Sequence, residues 1–145
     1  MGTSSTVAGR LKFPAKTKGA KAMAARKILI VDDSETILQM EQMILANEPY
    51  ELVLARDGVE GVARALETNP DLILLDVVMP RMGGFEALRE LRRNQRTSSV
   101  PIVMVTTQAE ADSIETGYAS GCSDYIVKPI DSMELLAKVH DLLGD

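Results

Sequence analysis

The sequence is poor in cysteine, histidine and long apolar runs, and each shortage excludes a class of protein. Cys122 is the only cysteine among 145 residues, so neither an intramolecular disulfide nor a cysteine-based metal cluster can form. His140 is the only histidine, which argues against a phosphohistidine donor within this chain. No apolar run approaches the roughly 18 residues that a membrane span needs. We therefore expect a cytoplasmic protein without a membrane span.

Charge is divided unevenly along the chain. Residues 1–27 contain seven of the 16 basic residues and no acidic residue, which leaves nine basic and 21 acidic residues, a net charge of −12, from residue 28 onward. Residues 1–26 lack apolar periodicity and are rich in Gly, Ser, Thr and Lys, a composition typical of disorder. Their first residues match a loose myristoylation pattern at Gly2, and their lysines could contact a nucleic acid or a membrane surface. A solvated tail is the preferred interpretation. We expect a basic tail at 1–26 and one acidic domain at 27–145.

Short apolar runs alternate with longer amphipathic stretches from residue 28 onward. The runs are ILIV at 28–31, LVLA at 52–55, LILL at 72–75, IVMV at 102–105 and YIV at 125–127. Strands without polar alternation are buried on both faces, which indicates a parallel sheet covered by helices. Right-handed crossovers then predict a doubly wound, flavodoxin-like (βα)5 fold, an α/β architecture with five parallel strands in the order 2-1-3-4-5.

Apolar residues at helical spacing mark the stretches after the runs. The second stretch is predicted to bury Val59, Val62, Ala63 and Leu66, and Asp57 followed by Glu60 predicts a capping box at its start. The fourth stretch, 109–119, has the weakest pattern, and its best core candidates are Ala111 and Ile114.

Polar residues close the predicted strands. Asp32 and Asp33 follow the first, Asp76 the third, Thr106 the fourth and Lys128 the fifth. The carboxyl ends of parallel strands meet at one edge, so three carboxylates are expected to crowd one crevice. Oxygen ligands without histidine or cysteine suit Mg²⁺, and a lysine and a hydroxyl suit an oxyanion. Because Asp32 and Asp33 form the natural metal pair, Asp76 is the candidate nucleophile for phosphorus.

Four motifs in this order resemble those of the response-regulator receiver domain, the CheY-like module of two-component signalling. They are ILIVDD, LILLDVVMPRMGGFEAL, PIVMVTT and DYIVKP, and the resemblance covers residues 27–145. It implies a Mg²⁺-dependent phosphoacceptor aspartate, Asp76, that is fed by a histidine kinase or a phosphotransfer protein. It also implies a cis peptide bond between Lys128 and Pro129.

The resemblance assigns a role to each matching residue. Asp32 and Asp33 match the acidic pair that binds the metal together with Asp76 and the backbone carbonyl of Val78. The remaining matches are Thr106 as the switch hydroxyl, Lys128 as the site lysine and Tyr125 as the aromatic switch residue.

Two positions depart from the common pattern of the family. Gly83 stands where the family usually has an aspartate that caps the third helix, at a cost of about 0.5 kcal/mol. Thr107 replaces a smaller residue, so it is expected to narrow the access of a phosphodonor or water to Asp76.

The resemblance implies a single-domain, monomeric response regulator that is not an enzyme in the ordinary sense. It promotes its own aspartyl phosphorylation and dephosphorylation. Phosphorylation thereby switches a protein-binding surface that consists of the fourth helix, the fifth strand and the last helix, and a downstream target recognises this surface. We expect no DNA-binding domain in this chain.

The alternatives are a binding module that works without phosphorylation and a receiver fragment of a larger regulator. A dehalogenase-type phosphatase is disfavoured because it needs an aspartate where Val78 stands, and a flavin carrier because Asp32 and Asp33 would repel the flavin phosphate.

Overall fold

The protein is described by a computed structural model that covers residues 25–107, residue 110 and residues 121–145. Its elements in chain order are β1 (Arg26–Val31), α1 (Glu35–Leu45), β2 (Tyr50–Ala55), α2 (Gly58–Thr68), β3 (Leu72–Asp76), α3 (Gly84–Arg93), β4 (Ile102–Thr106), β5 (Asp124–Val127) and α4 (Ser132–Leu143). The predictions for the tail up to residue 24 and for a helix with Ala111 and Ile114 lie outside the described residues. None of the described helices has the length and apolar character that crossing a membrane requires.

The strands form one parallel sheet in the order β2-β1-β3-β4-β5, as predicted. Ile28 of β1 lies opposite Leu52 of β2 on one side and Leu72 of β3 on the other. At the carboxyl edge, Asp76 pairs with Val105, and the last residue of β4, Thr106, pairs with Val127. This register places the ends of β3, β4 and β5 side by side.

Helices cover both faces of the sheet, which explains why the strands read as unbroken apolar runs. Alternate strand residues point to opposite faces. One layer of the core joins the sheet to α2 and α3, and its fully buried members include Leu29, Ile73, Leu75, Leu88 and Leu91. The other layer joins the sheet to α1 and α4, and its members include Ile28, Leu74, Leu38, Leu135 and Val139. The strands β3 and β4 are therefore buried throughout, whereas the outer strands β2 and β5 are partly exposed.

The predicted buried stripe of α2 is wrong in part. Val59 is 41% exposed and Ala63 is also exposed, whereas the buried residues are Gly58, Gly61 and Ala65. A Cβ atom at Gly61 would lie 3.0 Å from Cγ1 of Val31, so α2 approaches β1 closely through its small residues. The larger apolar side chains are consequently turned away from the centre of that contact.

Side-chain caps begin most of the helices. Ser34, Asp57 and Asp131 accept hydrogen bonds from backbone N–H groups in the first turns of α1, α2 and α4. In the predicted capping box, the Glu60 carboxylate accepts from the N–H of Arg56, one residue before the cap. Gly83 begins α3 without a side-chain hydrogen bond, as the missing aspartate predicts.

Candidate functional site

The polar residues singled out from the sequence lie around one end of the sheet. Asp32 directly follows β1, Asp76 and Thr106 are the last residues of β3 and β4, and Lys128 directly follows β5. Asp32, Asp76 and Thr106 are almost fully buried. Parallel strands bring their carboxyl ends to the same edge, so residues up to 96 positions apart in the sequence meet there.

Lys128 joins two of the carboxylates. Its Nζ atom lies 3.0 Å from Oδ1 of Asp76 and donates a hydrogen bond to it, and it lies 3.4 Å from Oδ2 of Asp32. The lysine side chain is only 18% exposed. One ammonium group thus partly neutralises two buried negative charges, which removal from water would otherwise destabilise.

The three aspartates form one cluster of oxygen ligands. Asp32, Asp33 and Asp76 each offer a carboxylate oxygen, and these atoms lie within 4.8 Å of one another. Asp32 is further oriented by the N–H of Ser34, which donates to its Oδ1 atom at 2.9 Å. Because Ser34 itself caps α1, neither Asp32 nor Asp33 is needed as a cap. A cluster of hard oxygen donors without histidine or cysteine suits a divalent cation such as Mg²⁺.

Burial and mutual repulsion raise the pKa values of the buried carboxyl groups. Burial, followed by the negative charge of Asp32, raises the pKa of Asp76 to about 6, although Lys128 opposes the change. Burial also raises the pKa of Asp32, against the opposing effects of the Ser34 N–H and Lys128. Burial lowers the pKa of Lys128, but the hydrogen bond to Asp76 and the nearby carboxylates outweigh it, so the pKa is raised. An additional positive charge, such as that of a bound cation, would therefore be stabilised at this site.

The loop after Asp76 is held by backbone contacts. The N–H of Val77 donates to the carbonyl of Val105, and the N–H of Gly84 donates to the carbonyl of Val77 at 2.7 Å. A Cβ atom at Gly84 would overlap the carbonyl oxygen of Asp76, so only glycine allows the start of α3 to approach so closely. Val78 lies on this loop with 60% of its surface exposed.

A second attachment ties this loop to α2. Arg81, with a φ of 68°, donates from Nε to Oδ2 of Asp57 at 2.9 Å, and the N–H of Gly58 donates to the carbonyl of Met82 at 3.1 Å. The N–H of Glu60, and then Arg81, lower the pKa of Asp57. Asp57 thus serves both as the cap of α2 and as an anchor for the loop beside Asp76.

The switch candidates lie on the neighbouring strands. Thr106 is 1% exposed, and its hydroxyl donates to the carbonyl of Thr107 at 3.3 Å. Thr107 is exposed. Tyr125 is half-buried on β5, beside Met104 of β4, and packs against the core layer under α2 and α3. The Lys128–Pro129 peptide bond is cis, as the resemblance predicts.

Glu41 is a site neighbour that the sequence reasoning missed. It lies on α1, is 1% exposed, and its Oε1 atom has no hydrogen-bond partner among the described residues. Burial, and then the charge of Asp32, raise its pKa to about 8. The available signal was its position between Leu38 and Leu45 on the helix face where apolar residues are expected.

Two other residues take no part in this cluster. His140 lies near the end of α4, where its Nε2 atom is 2.8 Å from Oε1 of Glu48. Cys122 is a buried thiol packed in the core layer under α2 and α3.

Comparison with known proteins agrees with this arrangement. The family model of the response regulator receiver domain matches residues 28–140. Protein PilH of Pseudomonas aeruginosa is 37% identical over 118 residues, which cover 81% of this chain and 98% of PilH. The transcriptional regulatory protein ResD of Bacillus subtilis is 41% identical over 117 residues. The chain spans about half the length of ResD and of several other curated relatives that it matches.

Solved structures with the same fold include receiver domains. The chemotaxis protein CheY4 of Vibrio cholerae superposes with a TM-score of 0.77 at 36% identity, over 82% of this chain and 99% of CheY4. The receiver domain of the sensor histidine kinase PA1611 of Pseudomonas aeruginosa, solved with a magnesium ion in its active site cleft, gives 0.77 at 30% identity, over 84% of this chain and all of that domain. A 2-1-3-4-5 sheet with an acidic cluster and a lysine at its carboxyl edge, matched by sequence and by structure, means that this chain belongs to the response regulator receiver domain family of two-component signalling.

Proposed function

We propose that Asp76 accepts a phosphoryl group from the phosphohistidine of a histidine kinase or a phosphotransfer protein, in a reaction that requires Mg²⁺. The observation that carries this proposal is the position of the Lys128 ammonium, 3.0 Å from Asp76 and 3.4 Å from Asp32, within a cluster of three carboxylates. This combination of positive and negative charge can hold a phosphoryl group beside a nucleophilic carboxylate.

Asp76 is the nucleophile in this reaction. With a pKa of about 6, its carboxyl group is mostly ionised at neutral pH, and the carboxylate is the form that can attack phosphorus. A carboxylate oxygen forms the bond to phosphorus, the bond from phosphorus to the donor imidazole breaks, and the imidazole nitrogen leaves with that electron pair. Lys128 is placed to neutralise charge on the phosphoryl oxygens during transfer.

The cluster fits a bound Mg²⁺ ion. Asp32 and Asp33, together with Asp76 and the backbone carbonyl of Val78, would hold it, since all are hard oxygen donors and the carboxylate oxygens lie within 4.8 Å of one another. When bound, the ion supplies positive charge that offsets the carboxylates and the phosphoryl oxygens. Asp33 is exposed and Asp32 is buried, so the cluster spans from the surface to the inner end of the site.

Phosphorylation would be read out through Thr106 and Tyr125. Thr106 lies at the end of β4, next to β3, and its hydroxyl can bind a phosphoryl oxygen on Asp76. Tyr125 is half-buried on β5, so inward and outward positions of its ring would alter the surface around β5 and α4. The free energy of this change must come from contacts that differ between two existing states. A downstream protein that prefers one state would then be the target.

The chain would promote its own phosphorylation and dephosphorylation rather than turn over a metabolite. Two candidates remain beside this function. A binding module that works without phosphorylation would keep the same fold. A receiver part of a larger regulator is supported by the relatives of about twice this length.

Intact-mass measurement after incubation with acetyl phosphate and Mg²⁺ tests the proposal. We expect a phosphoryl adduct on the wild type that EDTA prevents and that Asp76→Asn abolishes. Asp141→Asn, an exposed aspartate on α4, is the matched control and should still form the adduct. Because Thr107 can restrict the small donor, a purified phosphohistidine protein serves as the second donor. Failure with both donors would contradict the proposal in favour of a phosphorylation-independent binding module.

A further inference from the structure

The backbone of Arg81 is in the left-handed region, with a φ of 68°. Among the described residues other than glycine, only Asn69 shares this conformation, and asparagine adopts it readily. Arginine does not, because its Cβ atom approaches the following carbonyl oxygen. Strain of this kind persists where surrounding contacts impose it, and it is concentrated at functional sites. Since Arg81 lies in the loop that follows Asp76, the contacts that hold it concern the acidic site.

The side chain of Arg81 is directed to the start of α2. Its Nε and Nη2 atoms both lie 2.9 Å from Oδ2 of Asp57. The other carboxylate oxygen of Asp57 accepts from the N–H of Glu60 at 2.8 Å. The side chain of Asp57 is only 15% exposed, although that of Arg81 is 62% exposed. The ion pair therefore ends on a carboxylate that is itself fixed to the first turn of α2, unlike a pair between two mobile surface side chains.

Backbone contacts hold the same loop on either side of Arg81. The next residue, Met82, accepts at its carbonyl from the N–H of Gly58 at 3.1 Å, and a Cβ atom at Gly58 would overlap that oxygen. Nearer to Asp76, the carbonyl of Val77 accepts from the N–H of Gly84 at 2.7 Å. The loop is thus attached both to α3 and to α2, and Arg81 supplies the ion pair of the α2 attachment.

We propose that the ion pair between Arg81 and Asp57 positions the loop that carries two candidate cation ligands, the Asp76 carboxylate and the carbonyl of Val78. Arg81 is a positioning residue, since its guanidinium contacts Asp57, which is outside the acidic cluster. Mg²⁺ demands a near-ideal octahedral arrangement of its ligands, so a shift of this loop weakens binding. This inference rests on the cation site of the proposed function.

The charge of Arg81 alone would have the opposite effect. A guanidinium repels a divalent cation, so removing it would strengthen Mg²⁺ binding if Arg81 acted only through its charge. A positioning role predicts that the same removal weakens binding. The sign of the change in affinity therefore separates the two roles.

Titration calorimetry with Mg²⁺ at pH 7 measures this sign. We expect Arg81→Asn to bind Mg²⁺ at least about fivefold more weakly than the wild type, which is the lower end of the usual coupling between two sites. Asparagine is common in the left-handed region, so this variant removes the ion pair without adding backbone strain. Arg81→Lys should stay within about twofold of the wild type, because a single ammonium can replace two nitrogen atoms that meet one oxygen.

Arg93→Asn is the matched control. Arg93 is 65% exposed and pairs with Glu90 within α3, so its replacement removes the same charge at a similar exposure without touching the loop. This variant should bind Mg²⁺ at least as tightly as the wild type.

Hydrogen exchange gives a readout without metal. The N–H of Gly58, which donates to Met82, should exchange faster in Arg81→Asn than in the wild type and unchanged in Arg93→Asn. A merely structural ion pair would lower the unfolding midpoint but leave the Mg²⁺ affinity unaltered. Unchanged or tighter Mg²⁺ binding by Arg81→Asn, or wild-type exchange at Gly58 in that variant, overturns the inference while the proposed function stands. Absence of Mg²⁺ binding by the wild type overturns both.

Discussion

The ammonium of Lys128 lies 3.0 Å from Oδ1 of Asp76, although 52 residues separate them in the sequence. The same ammonium lies 3.4 Å from Asp32, so it stands between two buried carboxylates. This one positive charge reduces the repulsion that arises when the ends of β1 and β3 meet. The pair is therefore part of the proposed phosphorylation site and also stabilises the folded state in which these carboxylates meet.

Removing the Lys128 charge should destabilise the protein. Lys128→Met leaves Asp32 and Asp76 without compensation, so we expect the free energy of unfolding at pH 7.5 to fall by about 1–3 kcal/mol in urea titrations. Lys138→Met is the control, because its ion pair with Asp124 at 3.1 Å is more exposed. That variant should lose less than about 1 kcal/mol. Equal losses in the two variants would contradict a special role for the Lys128 pair.

Adjacent glycines at the start of α3 should respond oppositely to substitution. Gly84→Ala forces a Cβ atom against the carbonyl of Asp76, and neither backbone can yield, so we expect a loss of about 2 kcal/mol or more in thermal and urea unfolding. At Gly83 the nearest atom to a Cβ is 3.4 Å away, and its backbone is extended as caps require. Gly83→Asp should therefore gain a few tenths of a kcal/mol through capping. A stable Gly84→Ala would show that the loop is not so closely packed.

Stability should depend on pH through Glu41. The pKa of Glu41 is about 8 in the folded protein and 4.5 as its ordinary value, so the folded state binds more protons between these values and loses stability as the pH rises through them. Glu41→Gln removes this loss. We expect its free energy of unfolding to match the wild type below pH 4.5 and to exceed it by roughly 5 kcal/mol at pH 9.

Urea titrations across this pH range measure the difference. Glu51→Gln, an exposed glutamate on β2, is the control and should run parallel to the wild type. A constant difference between Glu41→Gln and the wild type at every pH would count against a buried, protonated Glu41.

Asp33 should affect the affinity for Mg²⁺ far more than it affects the free energy of unfolding. Asp33 is exposed, so Asp33→Asn should change the free energy of unfolding by less than about 0.5 kcal/mol. The same change removes one of the three clustered carboxylates, and we expect the affinity for Mg²⁺ by calorimetry to fall about tenfold or more. Glu35→Gln, two residues further along and also exposed, should bind as the wild type does. Unchanged affinity in Asp33→Asn would remove Asp33 from the ligand set.

The sequence by itself determined the strand order and the set of polar residues at the carboxyl edge. Unbroken apolar runs indicate strands covered on both faces, and the residue that closes each run is readable without coordinates. Asp32, Asp76 and Lys128 were therefore identifiable, and the close approach of the strand ends followed from parallel topology.

Only the tertiary structure decided which helix faces turn inward and what they meet. Glu41 became a neighbour of the acidic site because the rotation of α1 buries it, and α2 contacts β1 through Gly61 rather than through Val59. Hydrophobic periodicity describes the amphipathic face of an isolated helix but contains no distance to another element. Rotations and separations depend on contacts between residues far apart in the sequence, which only the packed chain specifies.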